Sequence, residues 1–367
     1  MNEAGLFVVG PFPPPVHGAA VITAAVADRL EGHARIRRCD ISPGRLTRGP
    51  AYHLRRVWRV FATAAAIAEN VGRPGCVYIS AAGGSGLLYN LLLTAVARLL
   101  RQRLFLHHHS FAYLDRRSAV MALLVRVAGG AAVHVVLCPR MAALLRERYP
   151  LAARSLIVSN AAFYPAGTAA ADRAPGGLVL GHMGNLTDEK GLDLVLDLYR
   201  EALSSGLAAQ LVLAGPTADA TAAHEIAAAQ EASGAGLVYR GPVYGADKAR
   251  FFADIDVFLF PTRYVNEAEP TVLFEALTHG VPVIALGRGC IPEQLGVIDG
   301  EGPGGVVVPV GDAFVKRAAE ALRIWAASPE RFAAARRAAH ARMTELHDQA
   351  ARDLESLLRA MASGTAR

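Results

Sequence analysis

The stretch that decides the fold is FLFPTRYVNEAEPTVLFEALTHGVPVIAL, residues 258–286. It reads as strand, loop, helix, turn, strand. Residues 257–260 are a short apolar run of the buried-strand type. Residues 261–269 are loop. Pro270 opens a helix, because its fixed φ suits the first helical position and its missing N–H costs nothing there. The helix stops near His279 and Gly280, where glycine takes the left-handed capping conformation. Residues 281–286 are the next strand. Glu267 in the loop and Glu275 inside the helix have seven residues between them. Between these carboxylates, the free amides of Thr271, Val272 and Leu273 form a helix N-terminus suited to a phosphate.

Working outward, the same alternation recurs. Further strands are expected at 178–183, 210–214, 237–240 and 305–308, with helices between them and a long one after 330. Upstream, strands are expected at 6–9, 76–80, 104–109, 133–137 and 156–160. Short apolar strands alternating with helices specify a parallel sheet covered on both faces. Residues 165–177, PAGTAAADRAPGG, lack periodicity and read as a linker. The expected organisation is an α/β domain over 1–164, a linker over 165–177, a second α/β domain over 178–340, and a terminal helix over 341–367 returning to the first. Two doubly wound domains facing across a linker imply a ligand cleft.

Composition narrows the partners. The 367 residues suffice for two full cores, and 53% hydrophobic with 19% charged residues is ordinary for a globular protein. A net charge of +6 favours nucleotides, phosphates or an acidic membrane surface. No basic-aromatic motif points to nucleic acid. Cys39, Cys76, Cys138 and Cys290 form no CxxC pair and read as scattered thiols of a reducing, cytoplasmic compartment. The start of the chain lacks a signal-type pattern, and residues 86–100 are too short to span a bilayer. Residues 45–59 are basic with Tyr52 and Trp58 interleaved. They read first as a solvated helix over the sheet, and second as an amphipathic helix near a membrane or an anionic acceptor.

Candidate site residues fall at the carboxyl ends of strands, where open α/β sheets bind ligands. Gly18, in the loop after the first strand, allows close backbone approach. Asn185 and Lys190 lie in MGNLTDEKGLD, between a strand and a helix, with the lysine placed for an anion. Gly215 and Val243 lie in strand-end turns suited to a flat base. Consecutive His107, His108 and His109 alternate faces on a strand, so they cannot share one metal ion. His109, nearest the loop, is the expected hydrogen-bond donor to a ligand, with His108 its rival. Glu267 and Glu275 read better by separate roles, sugar and ribose, than as an acid–nucleophile pair.

These residues resemble a family. NEAEPTVLFEALTHGVPVIA is similar to the E-x7-E signature of retaining GT-B glycosyltransferases, family 4. MGNLTDEKGLD resembles that family's G-R-L-x-x-x-K-G segment, and VYRGPVYGADKARFFADIDVFLFPT the segment leading into E-x7-E. GPFPPPVHGAAV, LHHHS and LIVSNAAF resemble its N-terminal loop, histidine strand and pre-linker strand end. The resemblance covers nearly the whole chain, most specifically in the second domain. It implies two Rossmann-like domains, the first for the acceptor and the second for a nucleotide-sugar donor.

It further implies transfer of a sugar from a nucleotide-diphosphate donor to a glycan, lipid-linked or small-molecule acceptor, with retention of configuration. No metal and no cofactor are implied. The catalytic positions would be His109, Glu267 and Lys190. The diphosphate would lie on Lys190 and the amides of Thr271 and Val272 after Pro270, with Arg263 neutralising charge. Asn185 stands where the family has an arginine, and Ala268-Glu269-Pro270 where its common signature has GFG. Rival readings are a GT-B epimerase or phosphorylase, and a non-catalytic nucleotide-sugar-binding subunit. Peripheral contact with a membrane also stays open.

Overall fold

The computed structural model describes residues 5–14, 18–44, 49–167, 177–217 and 219–363. The chain divides into two compact units. Unit 1 comprises Met1–Phe163 with Gln349–Arg367, and unit 2 is Tyr164–Asp348.

Unit 1 is built on six strands: β1 (Gly5–Gly10), β2 (Ile36–Asp40), β3 (Gly75–Ala81), β4 (Arg103–His108), β5 (Val133–Val136) and β6 (Ser155–Ile157). All pair in parallel, in the order β2-β1-β3-β4-β5-β6. Every residue of β3 is buried. That is why GCVYISA reads as a continuous apolar run rather than an alternating one. The edge strand β2 is absent from the expected set because IRRCD is mostly charged. Its Arg38 is held by Asp28 at 2.7 Å and Glu31 at 2.8 Å. Charges on an edge strand also discourage pairing with another chain.

Unit 2 carries seven strands: β7 (Leu178–Met183), β8 (Ala208–Ala214), β9 (Leu237–Tyr239), β10 (Val257–Phe260), β11 (Val283–Leu286), β12 (Gly300–Gly302) and β13 (Gly305–Val308). Their order is β12-β13-β11-β10-β7-β8-β9, with only the β12–β13 pair antiparallel. The order turns at β7. β8 and β9 extend to one side, while β10 and β11 begin the other. The crevice at such a switch point, at the carboxyl ends of the strands, is the binding position of open α/β sheets. The core beneath joins Leu180, Leu211, Leu213 and Leu259 of the sheet to Val195, Leu198 and Trp325 of the helices. Each fully buried leucine or valine contributes about 1.5–3 kcal/mol.

The stretch 258–286 folds as strand β10, a loop, the helix Thr271–Thr278 and strand β11. Pro270 is the residue flanking the helix rather than its first, and Gly280 takes φ 64° after the last turn. The final helix is Pro329–Ala362. Within unit 2 its His340 Nδ1 lies 3.2 Å from the Thr278 carbonyl, and Arg342 Nη2 donates to the Glu293 carbonyl at 2.5 Å. Within unit 1 its Ala360 carbonyl accepts from Arg103 Nη2 at 2.6 Å. No helix among the described residues is long and apolar enough to cross a membrane.

Candidate functional site

In unit 2 the site grows from the two loops that follow β7 and β10, the strands flanking the switch point. After β7, Thr187 caps a short 3-10 turn, its Oγ1 accepting from the Lys190 amide at 3.2 Å. Gly191 follows with φ 84°. A Cβ there would sit 2.4 Å from the Pro261 carbonyl oxygen, so only glycine lets the two loops touch. This contact aims Lys190 at the β10 loop. Its Nζ lies 2.5 Å from Glu267 Oε2 and 4.6 Å from the centre of the Tyr264 ring. Thr262 Oγ1 donates a second hydrogen bond to Glu267 Oε2 at 3.3 Å. Lysine and carboxylate are both largely buried, at 20% and 12% side-chain exposure. A pair this secluded keeps most of its Coulomb attraction.

The loop carrying Glu267 is fixed from outside by residues that sequence reasoning passes over. The Ala268 carbonyl accepts from the Cys290 amide at 2.7 Å. The Pro270 carbonyl accepts from the buried Gln294 Nε2 at 3.2 Å. Arg288 donates to the carbonyls of Tyr264 and Val265 at 3.0 and 2.9 Å. Tyr164 hydrogen-bonds the Thr271 side chain, and its ring stacks on Phe274 at 5.7 Å. Burial pushes the Tyr164 phenol up to about 12. No side chain caps the helix start, where Thr271 and Val272 are half-buried. The amides of Thr271 and Val272 therefore remain available to an anion, while the Leu273 amide donates to the Pro270 carbonyl at 3.3 Å.

One turn on, Glu275 pairs with Lys248 of the helix Ala246–Asp254, Nζ to Oε1 at 2.8 Å and to Oε2 at 2.5 Å. Burial raises the Glu275 carboxyl, and Lys248 opposes that shift. Nothing in the spacing singles out Lys248, although it lies in the segment that resembles the approach to E-x7-E. Within β7, His182 is fully buried with Nδ1 2.9 Å from the Leu259 carbonyl. Burial lowers its pKa to about 4. A neutral imidazole there ties the two switch-point strands together.

The remaining candidate residues have surroundings of their own. Arg263 is engaged by its neighbours after β7. Its Nη2 lies 2.6 Å from Asp193 Oδ1 and 2.5 Å from the Asp188 carbonyl. Gly215 serves the chain itself, since a Cβ there would fall 1.8 Å from the Gly184 carbonyl oxygen. Asn185 is exposed and Val243 half-exposed, each at its strand end. In unit 1, Gly18 begins the helix Gly18–Glu31, and a Cβ on it would meet nothing within 4 Å. The fold itself therefore does not demand glycine there.

The histidine strand separates its members sharply. His107 and His109 share a face, ring centres 4.1 Å apart, while His108 points the other way. His107 Nδ1 meets the Tyr78 hydroxyl at 2.5 Å. His108, the rival candidate, is wholly buried and partnered on both nitrogens, with Tyr113 and His134 each at 2.9 Å. It has no nitrogen to offer a ligand. His109 is only half-buried, and its Nε2 has no protein partner. Burial lowers its pKa to about 4, so the ring is neutral near pH 7.

Residues 177–326 match the family described as Glycosyl transferases group 1. That match covers most of unit 2. The match begins at β7 and includes the Lys190 and Glu267 loops. No curated protein matches the sequence. Solved structures match the fold over almost the full chain. HepE of Anabaena in complex with UDP has a TM-score of 0.68 at 16% identity, covering 96% of this chain and 100% of that one. Sucrose-phosphate synthase of Thermosynechococcus elongatus has a TM-score of 0.70 at 16% identity, covering 98% of this chain and 100% of that one. The catalytic domain of starch synthase IV of Arabidopsis thaliana, bound to ADP and acarbose, has a TM-score of 0.70 at 12% identity, covering 99% of this chain and 100% of that one. The chain thus has the GT-B fold and carries a glycosyltransferase domain.

Proposed function

We propose that the chain transfers a sugar from a nucleotide-diphosphate donor to an acceptor hydroxyl, with retention at the anomeric carbon and without a metal. The observation that carries this reading is the Lys190–Glu267 pair beside the uncapped start of the helix Thr271–Thr278. A leaving diphosphate needs positive charge already in place where its negative charge develops. Lys190 supplies a full charge, and the amides of Thr271 and Val272 supply the helix dipole. HepE has been solved with UDP-glucose, and starch synthase IV with ADP. Both ligands are of the proposed class.

Roles follow from chemistry. Lys190 stabilises the leaving phosphate oxygen. Glu267 holds Lys190 and accepts from sugar hydroxyls. Glu275, fixed by Lys248, accepts from the ribose. No other carboxylate is assigned as a covalent nucleophile. The acceptor therefore attacks from the side the diphosphate leaves, and a leaving phosphate oxygen takes the proton. His109 contributes a neutral hydrogen-bonding nitrogen that positions the sugar. The acceptor is a glycan, a lipid-linked glycan or a small molecule, and contact with a membrane surface accompanies the lipid-linked case.

A second reading, a nucleotide-sugar-binding subunit without turnover, draws on Asn185 in place of an arginine and on the engagement of Arg263 by Asp193. Calorimetry and turnover across a panel of nucleotide sugars separate the two. Saturable donor binding with sugar release or transfer supports the enzyme. Binding with no turnover toward any acceptor supports the subunit, and no binding at all rejects both.

A further inference from the structure

We propose that one helical face of unit 1 docks on an anionic membrane surface. This extends the possibility of membrane contact raised above but does not depend on the transfer chemistry. The helix Pro50–Ala68 presents Leu54, Trp58 and Phe61 to solvent at 73%, 68% and 60% exposure. Their spacing of four and then three residues places them on one stripe. The helix Gly86–Leu99 packs beside it and leaves Leu88 and Leu99 exposed at 55% and 83%. The helix Ala119–Ala128 packs against that second helix in turn. Right-handed crossovers from β2 to β3, β3 to β4 and β4 to β5 all run in the same direction along the sheet, which puts these helices on one side of it.

Three adjacent helices turning large apolar side chains to water form a continuous patch rather than scattered exposed residues. The charge around it indicates what covers it. The three helices together carry five arginines, no lysine and no carboxylate. Glu69, at the end of the first of them, is paired with Arg37 at 2.6 Å. Arg55 lies exposed beside the apolar stripe, and Arg98 and Arg126 lie exposed on the neighbouring helices. A protein partner would need to match a broad apolar face with an equally broad acidic one. An anionic leaflet offers both at once, with acyl chains for Trp58 and Phe61 and headgroups for the guanidinium groups. No helix among the described residues is long and apolar enough to span, so contact through this face is interfacial.

The test is co-sedimentation of the full chain with vesicles. Binding to phosphatidylcholine mixed with phosphatidylglycerol, weak binding to phosphatidylcholine alone, and release by salt are the expected results. The double variant Trp58→Ser with Phe61→Ser loses at least roughly tenfold in partitioning, because two large apolar side chains no longer leave water. Arg55→Glu weakens binding to the anionic vesicles only. Circular dichroism and nucleotide binding of the variants report folding independently, and both sit apart from these residues. Absence of wild-type binding to the anionic vesicles overturns the proposal. So does binding that the double variant retains. A vesicle-free dimer in sedimentation velocity that the double variant dissolves also overturns it, by assigning the face to a second copy of the chain. Donor turnover that persists without vesicle binding leaves the proposed enzymatic function intact and rejects only the docking.

Discussion

Lys190 Nζ and Glu267 Oε2 lie 2.5 Å apart although the residues are 77 positions apart in sequence. The sheet brings them together. β7 and β10 are neighbours at the point where strand order turns, and each residue sits in the loop leaving one of those strands. The proposed function sets the donor diphosphate against this pair.

Removing either partner separates catalysis from fold. Lys190→Ala is expected to lower transfer about 10²–10³-fold, the loss seen when one preorganised charge-stabilising group is removed. Glu267→Gln should keep the Thr262 contact and cost less than Glu267→Ala. Steady-state kinetics on the purified variants, with donor held saturating, measures the effect on kcat. Full activity in both alanine variants would contradict the assignment.

Glu275 and Lys248 are expected to act on binding. Glu275→Gln should raise the KM for donor about tenfold with little change in kcat, because the proposed ribose contact would serve ground and transition states alike. Lys248→Met should raise the Glu275 pKa further, since it removes the cation that opposes burial. A carbon-detected NMR titration of the Glu275 carboxyl reads that shift directly.

The glycine at 191 is a geometric requirement. Gly191→Ala introduces a left-handed non-glycine residue and a Cβ 2.4 Å from the Pro261 carbonyl oxygen. Conformation alone costs about 1–2 kcal/mol, and the backbone contact adds to it. Urea denaturation should show a lower midpoint, and donor affinity should fall with it as Lys190 is displaced.

Stability should fall as the pH drops below the ordinary histidine range. His109, His134 and His182 are each lowered from 6.5 to about 4, chiefly by burial. Between those values the unfolded chain binds protons that the folded chain does not. Stability therefore rises with pH across that window and is lost as pH drops from 6.5 toward 4. The contribution is on the order of 1 kcal/mol or more per histidine. Thermal unfolding followed at pH 7, 6 and 5 should show a falling Tm, and His134→Phe should flatten part of that slope.

Position 109 can be tested against 108. His109→Ala should lower transfer with little loss of stability, because its Nε2 has no protein partner. His108→Ala should destabilise unit 1 by breaking contacts to Tyr113 and His134. Leaving those buried partners unsatisfied costs about 1–3 kcal/mol each. Chemical denaturation and activity measured on both variants should give opposite rankings.

Local order was legible in the sequence. Apolar runs bounded by glycine and proline located most of the strands, because burial on both faces of a parallel sheet leaves a continuous hydrophobic signature. The loop, helix and turn around Glu267 and Glu275 were legible for the same reason, since capping and proline geometry act within a few residues. Strand β2 was not, because an edge strand bearing Arg37, Arg38 and Asp40 has no such signature. What only the tertiary structure decided was which distant residues meet. Strand order placed Lys190 against Glu267 and Lys248 against Glu275, and it turned Arg263 toward Asp193. Packing consumed both nitrogens of His108 and left one on His109. Hydrophobic periodicity reports whether a residue is buried. It carries no record of the neighbour that a loop 77 residues away will supply.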